Sequence, residues 1–304
     1  MGRSLSITAA VAVLAFAAPV LWRLVSTYDR PSLLAFTSLA PFLNTTSSPK
    51  AFTCQPHSYT TEIISLDPLV IYIHNFIGDR EVAGLLAAGE PEFAPSEVTK
   101  HSRKVSTSDR TSQSAGLPLA DPAVQCVPYQ KKQRLTPDVV VSRAEKFMGT
   151  MLDPVHDEVG PPQLVRYTAG QRFNIHNDWY ERPQPARRDK MHKGRSWNRV
   201  ASFFAVLEDG CTGGETHFPY LKPLRRAGKG QWLDPKGAEV NNTWYEREDE
   251  DGGGVAFKPV KGNAVFWVNL HANGTGDERV MHAGLPLGEG LKTAMNIWPR
   301  QYYV

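Results

Sequence analysis

The sequence has few of the features that mark several large classes of protein. Its 304 residues carry a formal net charge of only +3, which is too small to indicate a nucleic-acid partner. No internal repeat is visible, and the H-E-x-x-H motif of the helical zinc hydrolases does not occur. The three cysteines allow one disulfide and leave one thiol over. With 41% hydrophobic and 10% aromatic residues, however, the chain can build a core and is not a disordered protein.

Long apolar runs are also scarce, with one uncharged example near the N-terminus. The stretch "ITAAVAVLAFAAPVLW" covers residues 7–22, with Arg3 ahead of it and Arg23 behind. Its length falls between a signal-peptide core and a full membrane span. We predict an uncleaved signal anchor over residues 1–26, with a signal peptide cleaved after "AFA" (15–17) as the alternative. Both send the chain into the secretory pathway, either as a lumenal domain on the endoplasmic reticulum membrane or as a secreted protein.

Two minor features agree with a lumenal location. An oxidising lumen permits a disulfide, which we expect between Cys54 and Cys126 because Cys211 lies within the motif region described below. Three N-glycosylation sequons also occur, which begin at Asn44, Asn241 and Asn273.

Composition divides the chain into a linker and a folded domain. Residues 27–60 are rich in Ser, Thr and Pro and are typical of a linker or stalk, which leaves a domain over residues 61–304. Apolar residues at helical spacing predict one helix over 79–93 and a second over 136–152, with Thr136 as its cap.

Strands dominate the rest of the domain. A β-branched, aromatic run over 69–77 predicts the first strand, and short runs of Val, Phe, Tyr and Thr alternate with turn residues over about 163–304. Many short strands without helices between them predict a barrel or a double-sheet jelly roll. The predicted fold class is therefore α+β, with N-terminal helices supporting a double-stranded β-helix (jelly roll) core. The polar stretches 182–196 and 221–254 are predicted surface loops.

An imidazole and a carboxylate stand two positions apart in "RFNIHNDWY". If this stretch is a strand, His176 and Asp178 point to the same face. A polar pair facing the interior of a small barrel is costly unless it binds something, and a metal ion is its natural partner. A solvated pair on the outer face is the alternative, since nine histidines make a chance His-x-Asp common.

A third ligand is available on a later run. The stretch "RVMHAGLP" presents His282 among apolar and small residues. Two imidazoles and one carboxylate form a facial triad that leaves coordination positions open, as in non-haem Fe(II) oxygenases. His176, Asp178 and His282 are therefore the predicted metal ligands and catalytic centre.

An oxygenase of this kind commonly draws electrons from a bound 2-oxo acid, whose far carboxylate needs a buried cation. Lys292 follows His282 on the next run, "LKTAMNIWP", beside Leu291 and Ala294. A strand–turn–strand connection brings Lys292 back beside the metal, so it is the predicted partner of that carboxylate. A surface lysine on an edge strand is the alternative.

These runs resemble, in order, the successive blocks of the prolyl 4-hydroxylase catalytic (alpha) subunit family. The blocks lie between about Tyr167 and Trp298 and read "YTAGQRFNIHNDWY", "NRVASFFAVLEDGCTGGETHFP", "VKGNAVFWVN" and "HAGLPLGEGLKTAMNIW". Weaker agreement is found at "HNFI" (74–77) and "RTS" (110–112). The resemblance implies a dioxygenase that depends on Fe(II) and 2-oxoglutarate and that uses L-ascorbate to rescue oxidised iron.

The resemblance also implies roles for single residues. It assigns Fe(II) to His176, Asp178 and His282. Lys292 pairs with the 5-carboxylate of 2-oxoglutarate, Tyr167 hydrogen-bonds the same carboxylate, and Thr216 lines the cosubstrate pocket, with a plain strand threonine as the alternative.

Three further residues are candidates for the substrate side. Arg199 matches a family arginine that reaches this side of the site. Trp179 and Tyr180 are candidates for the wall of the substrate groove, with packing in the core or at the rim as the alternative.

The predicted reaction is hydroxylation of peptidyl proline with release of succinate and CO2. The run "HAGLP" lacks the cysteine of the common "HAGC" form, and the stretch before the first strand is too short for the separate peptide-binding domain of the animal collagen enzymes. We therefore expect a closer likeness to the short, membrane-anchored plant, algal and fungal members, and a proline-containing substrate other than collagen. The same chemistry on a small molecule or a different residue is the alternative, and an inactive membrane-anchored binding module is a remote one.

Overall fold

Antiparallel β-strands form most of the regular secondary structure in the described residues, because a strand with one apolar face can bury that face against a second layer. The computed structural model describes residues 57–100, 103–105, 107–118, 140–186, 192–224, 232–233, 239–240, 245–247 and 254–303. The predictions for the anchor, for nearly all of the linker, for two of the sequons and for the Cys54–Cys126 disulfide lie outside these residues. Among the described residues, none of the helices has the length and apolar character needed to cross a membrane.

The first helix confirms the prediction over 79–93. Helix α1 (Asp79–Gly89) begins where the Glu81 side chain accepts a hydrogen bond from the Gly78 backbone N–H at 2.9 Å, which satisfies one of the free donors at the helix start. The helix continues as a 3-10 turn over Glu90–Glu92.

The second helix covers the described part of the prediction over 136–152. Helix α2 (Val140–Met148) continues as a 3-10 turn over Gly149–Met151, and the part before residue 140 lies outside the described residues. The Phe147 ring packs edge-on against Phe203 with ring centroids 5.4 Å apart. This contact holds the helix on the outer face of the main sheet.

The strands are short, as predicted, and are numbered here in chain order. They are β1 (Thr60–Leu66), β2 (Leu69–His74), β3 (Ala94–Pro95), β4 (Val98–Lys100), β5 (Arg103–Val105), β6 (Gln113–Gly116), β7 (Glu158–Val159), β8 (Gln163–Thr168), β9 (Phe173–His176), β10 (Gln184–Pro185), β11 (Ser196–Arg199), β12 (Ala201–Glu208), β13 (Cys211–Gly213), β14 (Thr216–Phe218), β15 (Trp232–Leu233), β16 (Glu239–Val240), β17 (Tyr245–Arg247), β18 (Val255–Phe257), β19 (Ala264–Val268), β20 (His282–Gly284), β21 (Leu287–Ile297) and β22 (Pro299–Tyr303).

In the part of the chain that the structure describes, the main sheet has nine strands. Its order is β1-β2-β19-β12-β21-β8-β6-β3, and β13 pairs with β21 beside this path. The central strand β12 reads "ASFFAVLE" and is apolar nearly throughout, because its two faces are both covered. Its Phe203 pairs with Phe266 of β19 and with Ile297 of β21. All three side chains are fully buried, so this point is the centre of the core.

A five-stranded sheet in the order β17-β18-β14-β20-β9 forms the second layer, which we call the minor sheet. Phe218 of β14 meets Trp267 of β19 at 5.2 Å, and Phe257 of β18 stacks on Tyr72 of β2 at 5.9 Å. Burying each such ring stabilises the fold by roughly 1.5–3 kcal/mol. Two antiparallel sheets packed in this way, with helices on the outside, confirm the α+β class and the jelly-roll core.

The β-structure begins before the predicted core of about 163–304. The hairpin of β1 and β2 joins the main sheet through β19, and β6 joins it through β8. Strand β1 was not predicted from the sequence. It is an edge strand in which Ile63 and Leu66 are exposed, so apolar and polar side chains do not alternate regularly along it.

The two predicted loops also contain paired strands. The stretch 182–196 includes β10, which pairs with β11 in a third sheet of order β10-β11-β22-β7. The stretch 221–254 contributes β17 to the minor sheet, where it pairs with β18. In both stretches a strand forms because a distant segment pairs with it, and local composition does not show that partner.

Candidate active site

Two strands of the minor sheet position the candidate metal ligands. Strand β9 ends at His176, and its antiparallel register with β20 sets His176 opposite His282. Asp178 lies beyond β9 in a bend, so the prediction that it shares one strand face with His176 is wrong. The bend nevertheless brings the three residues together, because one ligand atom from each lies within 4.8 Å of the others.

Backbone carbonyls fix which nitrogen of each histidine is available. Nδ1 of His176 lies 2.9 Å from the carbonyl oxygen of Asn174, and Nδ1 of His282 lies 3.1 Å from that of Val280. A carbonyl oxygen can only accept, so each Nδ1 carries the proton and each Nε2 keeps its lone pair. Burial lowers the pKa of His176 to about 3 and also lowers the pKa of His282, so both rings are neutral.

The Asp178 carboxylate is held by two donors on one oxygen. Its Oδ2 accepts hydrogen bonds from the Ser202 hydroxyl at 2.7 Å and from the Trp298 indole N–H at 3.1 Å. Burial alone raises the pKa of this carboxyl, but electrostatic interactions with His282, Arg199 and His176, together with the Ser202 hydrogen bond, outweigh burial and lower the pKa to about 2. The carboxylate is therefore charged, and Oδ1 is left for a metal ion.

The residues present fit an iron ion. Two neutral imidazoles with free Nε2 atoms and one carboxylate with a free oxygen form the donor set of the non-haem Fe(II) facial triad. The hydrogen bonds on the far side of each ligand hold it in position before a metal binds.

Lys292 is a buried cation in the same cavity. It lies on β21 and is only 2% exposed, so the alternative of a surface lysine is wrong. Its Nζ donates to the Gly214 carbonyl oxygen at 2.5 Å, and it lies 5.0 Å from the ring centroid of Phe204. Burial lowers the pKa of Lys292 to about 8. A lysine in this setting is suited to binding an anionic group that enters the cavity.

The two other residues predicted to contact the cosubstrate lie beside Lys292. Tyr167 of β8 is its direct cross-strand neighbour, with the Lys292 Nζ 5.8 Å from the Tyr167 ring centroid. Burial raises the pKa of Tyr167, so its hydroxyl stays protonated and can donate. Thr216 is buried at the start of β14.

A single cavity of about 1230 Å³ joins all these groups. The nine residues predicted for the site all line it: Tyr167, His176, Asp178, Trp179, Tyr180, Arg199, Thr216, His282 and Lys292. This volume exceeds the roughly 300–1,000 Å³ that one drug-sized ligand usually occupies. The cavity therefore has room for a small dicarboxylate together with a larger substrate.

Arg199 lies between two aromatic rings on the wall of the cavity. Its guanidinium carbon is 3.6 Å from the Trp298 ring centroid and 5.1 Å from that of Tyr180. Its Nη1 donates to the backbone carbonyl of Asp178 at 3.1 Å. In this structure the arginine thus supports the bend that carries Asp178 as well as facing the cavity.

Trp179 is mostly a packing residue. It is buried, and its indole fills the space over Gly276 so closely that a Cβ on Gly276 has no room. The packing alternative therefore accounts for most of its surface, although an edge of the ring lines the cavity.

Several residues in the cavity wall or directly behind it received no role from the sequence. The Arg110 guanidinium lies 5.0 Å from the Phe173 ring centroid, and Phe173 stacks on His176 with ring centroids 3.6 Å apart. Ser202 and Trp298 hold Asp178 as described above. Arg110, Ser202 and Trp298 stand in the blocks "RTS", "NRVAS" and "MNIW", and Phe173 stands in "RFNIHNDWY". These blocks contain the four residues without distinguishing them from structural positions.

Comparison with known proteins also points to an iron-dependent oxygenase site. Residues 162–300 match the 2OG-Fe(II) oxygenase superfamily. Mouse prolyl 4-hydroxylase subunit alpha-3 is 26% identical over 242 residues, which cover 79% of this chain but 35% of the mouse protein. Arabidopsis thaliana prolyl 4-hydroxylase 1 is 26% identical over 245 residues, covering 79% of this chain and 71% of the plant protein. The chain thus spans about a third of the length of the animal alpha-3 relative.

Among solved structures, a viral collagen prolyl hydroxylase from Paramecium Bursaria Chlorella virus-1, in complex with 2OG, has a TM-score of 0.45 and 19% identity, covering 76% of this chain and 95% of that one. The matched region of the sequence contains all three candidate ligands and Lys292. Residues 162–300, which include the candidate ligands and Lys292, are thus similar to the 2OG-Fe(II) oxygenase superfamily, and the two relatives named above are prolyl 4-hydroxylases.

Proposed function

We propose that this protein is a dioxygenase that hydroxylates proline residues in peptides or proteins, as its prolyl 4-hydroxylase relatives are named for doing. The observation that carries the proposal is the convergence of the His176, Asp178 and His282 ligand atoms in one cavity with the buried cation Lys292. When bound, Fe(II) and 2-oxoglutarate together supply the oxidation: one oxygen atom of O2 enters a C–H bond, and the oxo acid loses CO2 and becomes succinate.

The chain's own residues bind and orient the reactants. His176, Asp178 and His282 would hold Fe(II) through Nε2, Oδ1 and Nε2. Lys292 would neutralise the 5-carboxylate of 2-oxoglutarate, Tyr167 would donate a hydrogen bond to it, and buried Thr216 would line the same pocket. The burial of these groups excludes water, which strengthens the ion pair.

The rest of the cavity would take the substrate. Arg199 and Tyr180 form part of its wall, and Ile175, on the ligand strand β9, exposes 46% of its surface. An exposed apolar side chain next to polar groups suits a peptide, which carries apolar side chains and backbone carbonyls together.

The test is succinate release by the purified chain with Fe(II), 2-oxoglutarate and ascorbate, with and without proline-rich peptides. We expect turnover that a peptide stimulates and that His176→Ala abolishes. The matched control is His156→Ala, because His156 lies in an exposed turn with Asp153 as its partner, away from the cavity. Turnover that no peptide stimulates would contradict a peptidyl substrate and favour a small molecule. Absence of any turnover with bound iron would contradict the dioxygenase itself.

L-Ascorbate is a further proposed requirement. Turnover without substrate would leave bound iron oxidised, and a reductant would return it to Fe(II). We expect activity to decline during the reaction when ascorbate is omitted and to recover when it is added. A steady rate without any reductant would remove ascorbate from the scheme.

We also propose that the domain works in the lumen of the endoplasmic reticulum, attached to the membrane by the apolar run over residues 7–22. Asn273 supports this, because it is exposed and its side-chain oxygen accepts the Thr275 hydroxyl at 2.7 Å within an intact sequon. Glycosidase treatment of the protein from eukaryotic cells should increase its gel mobility, by less in Asn273→Gln. Carbonate extraction should leave the protein in the membrane pellet. No glycan and full extraction would contradict this location.

A further inference from the structure

Two fully buried polar side chains lie behind the Asp178 carboxylate. Ser202 is on β12, and Asn269 follows the end of β19; neither has any exposed surface. The backbone of Asn269 is fixed on both sides, since its N–H donates to the Val200 carbonyl at 2.9 Å and its carbonyl accepts from the Asp277 N–H at 2.9 Å. The amide is therefore held in one place.

The direction of each hydrogen bond follows from chemistry. A carboxylate has no proton to donate, so at 2.7 Å the Ser202 hydroxyl must donate to Asp178 Oδ2. The hydroxyl has only one proton, and its oxygen is therefore free to accept. Asn269 Nδ2 lies 2.9 Å from that oxygen and donates to it. The protons thus run in one direction, from Asn269 to Ser202 to Asp178.

Because the Asn269 NH2 group donates to Ser202, the amide oxygen of Asn269 points elsewhere. Oδ1 of Asn269 is buried and has no hydrogen-bond partner within the described part of the chain. Natural proteins rarely bury such an atom unpaired, and each case calls for an explanation. Here the explanation is the need for a donor behind Ser202, which an apolar residue at this position does not supply.

We propose that Ser202 and Asn269 form a positioning relay that keeps Asp178 Oδ2 occupied and so presents Oδ1 alone to the metal. This inference rests on the metal site of the proposed function and adds two residues that do not touch the metal. With Oδ2 taken by the Ser202 hydroxyl and the Trp298 indole, the carboxylate is turned to bind through one oxygen. A carboxylate that binds through one oxygen leaves room for the cosubstrate at the metal.

The experiment measures metal binding and then 2-oxoglutarate binding, without turnover. The full chain is titrated anaerobically with Fe(II), and with Co(II) as a spectroscopic probe, and 2-oxoglutarate is then added to the loaded protein. Ser202→Ala should weaken metal binding by about 10- to 100-fold, as loss of a partner behind a metal ligand typically does. Ser202→Thr keeps the hydroxyl and should stay close to wild type. Asn269→Leu leaves the Ser202 donor in place and should cost less, at most about tenfold.

A matched control lies at the other end of the same strand. Asn263 precedes β19, and its side chain donates to the Tyr72 hydroxyl at 3.0 Å and accepts from the Asn75 N–H at 2.8 Å. Asn263→Leu should lower the melting temperature without weakening metal binding. The Co(II) spectrum should change in Ser202→Ala and stay unchanged in Asn263→Leu.

Three outcomes would contradict the relay. They are wild-type metal affinity in Ser202→Ala, no rescue by Ser202→Thr, or equal loss of metal affinity in Asn263→Leu and Asn269→Leu. Should Ser202→Ala fail to fold, the pair of asparagine variants decides the question. Wild-type protein that binds metal but never hydroxylates a peptide would contradict the proposed function and leave the relay standing. Wild-type protein that binds no metal would contradict both.

Discussion

Two buried cations, Arg143 and Lys292, lie in very different surroundings. Arg143 on α2 is 1% exposed and forms a two-pronged ion pair with Glu81 of α1, at 2.7 and 3.0 Å, with a third hydrogen bond from Nη1 to the Phe76 carbonyl oxygen. Lys292 is 2% exposed, and within the described residues its one hydrogen bond goes to the Gly214 carbonyl and it has no ion pair.

The difference indicates that the charge of Arg143 stabilises the fold, whereas the charge of Lys292 is available to bind an anionic ligand. Taking a charge out of water is costly, and the protein recovers that cost only where partners surround the charge. Around Arg143 the chain supplies the counter-charge itself and so ties the two helices together. Around Lys292 it supplies a neutral carbonyl and two aromatic rings, which leaves the counter-charge to come from an incoming anion.

The largest effect is expected from substitution of a metal ligand. Asp178→Asn keeps the size of the side chain, but its amide oxygen accepts from Ser202 and Trp298, and its NH2 then faces the histidines. We expect metal binding to be lost and succinate release to fall by at least about a thousandfold, which corresponds to about 4 kcal/mol. Metal titration and a turnover assay measure both effects, with the exposed Asp153→Asn as control. Retained iron binding would contradict the ligand role of Asp178.

Breaking the helix ion pair should affect stability alone. Arg143→Met leaves the Glu81 carboxylate, whose side chain is 13% exposed, without its cationic partner, and removing one member of a buried pair costs up to about 3–5 kcal/mol. Denaturant unfolding of the metal-free protein should show this loss, and metal affinity of the folded variant should be unchanged. The double variant Arg143→Met/Glu81→Leu should recover much of the stability. A loss of metal affinity would show that the two sites are not independent.

Removing Lys292 should raise the stability of the metal-free protein, whereas removing Arg143 should lower it. Burial lowers the pKa of Lys292 from 10.5 to about 8, so at pH 7 the charge is held at a cost of up to about 3 kcal/mol. Lys292→Met removes this cost, and we expect the metal-free variant to be more stable than wild type while it loses 2-oxoglutarate binding. Calorimetric titration measures the loss of 2-oxoglutarate binding, and denaturant unfolding measures the gain in stability. A destabilised variant would mean that Lys292 belongs with Arg143 as a structural charge.

The sequence predicted which residues meet in the cavity better than it predicted the elements that carry them. His176, Asp178, His282 and Lys292 were predicted together because metal ligation and anion binding need particular residue types, and because the blocks that resemble the family follow in its order. Their elements were less accessible. Asp178 was expected on a strand and lies in a bend, because the end of β9 depends on where its partner β20 stops pairing.

The residues that hold the ligands could not be predicted in the same way. Ser202 and Asn269 lie 67 positions apart and become neighbours only through the pairing of β12 with β19. A buried serine in the apolar run "ASFFAVLE" carries no local sign of its contact. The same holds for β1, whose edge position in the sheet is decided by long-range pairing. Residue types thus predict what a site does, and the sheet register decides what supports it.

The smallest effect expected is a pH dependence of cosubstrate affinity. Lys292 is charged below its pKa of about 8 and neutral above it, whereas 2-oxoglutarate stays a dianion throughout. Its affinity for the metal-loaded protein should therefore be constant at lower pH and fall by up to about tenfold per pH unit above 8, until the anion no longer gains from the charge. Calorimetric titration with 2-oxoglutarate between about pH 6.5 and 9.5 measures this fall in affinity. Lys292→Arg keeps its charge across the window, so its affinity should show no such fall. A wild-type affinity that stays flat above pH 8 would mean that binding does not raise the pKa of Lys292, which would contradict an ion pair between the lysine and the cosubstrate.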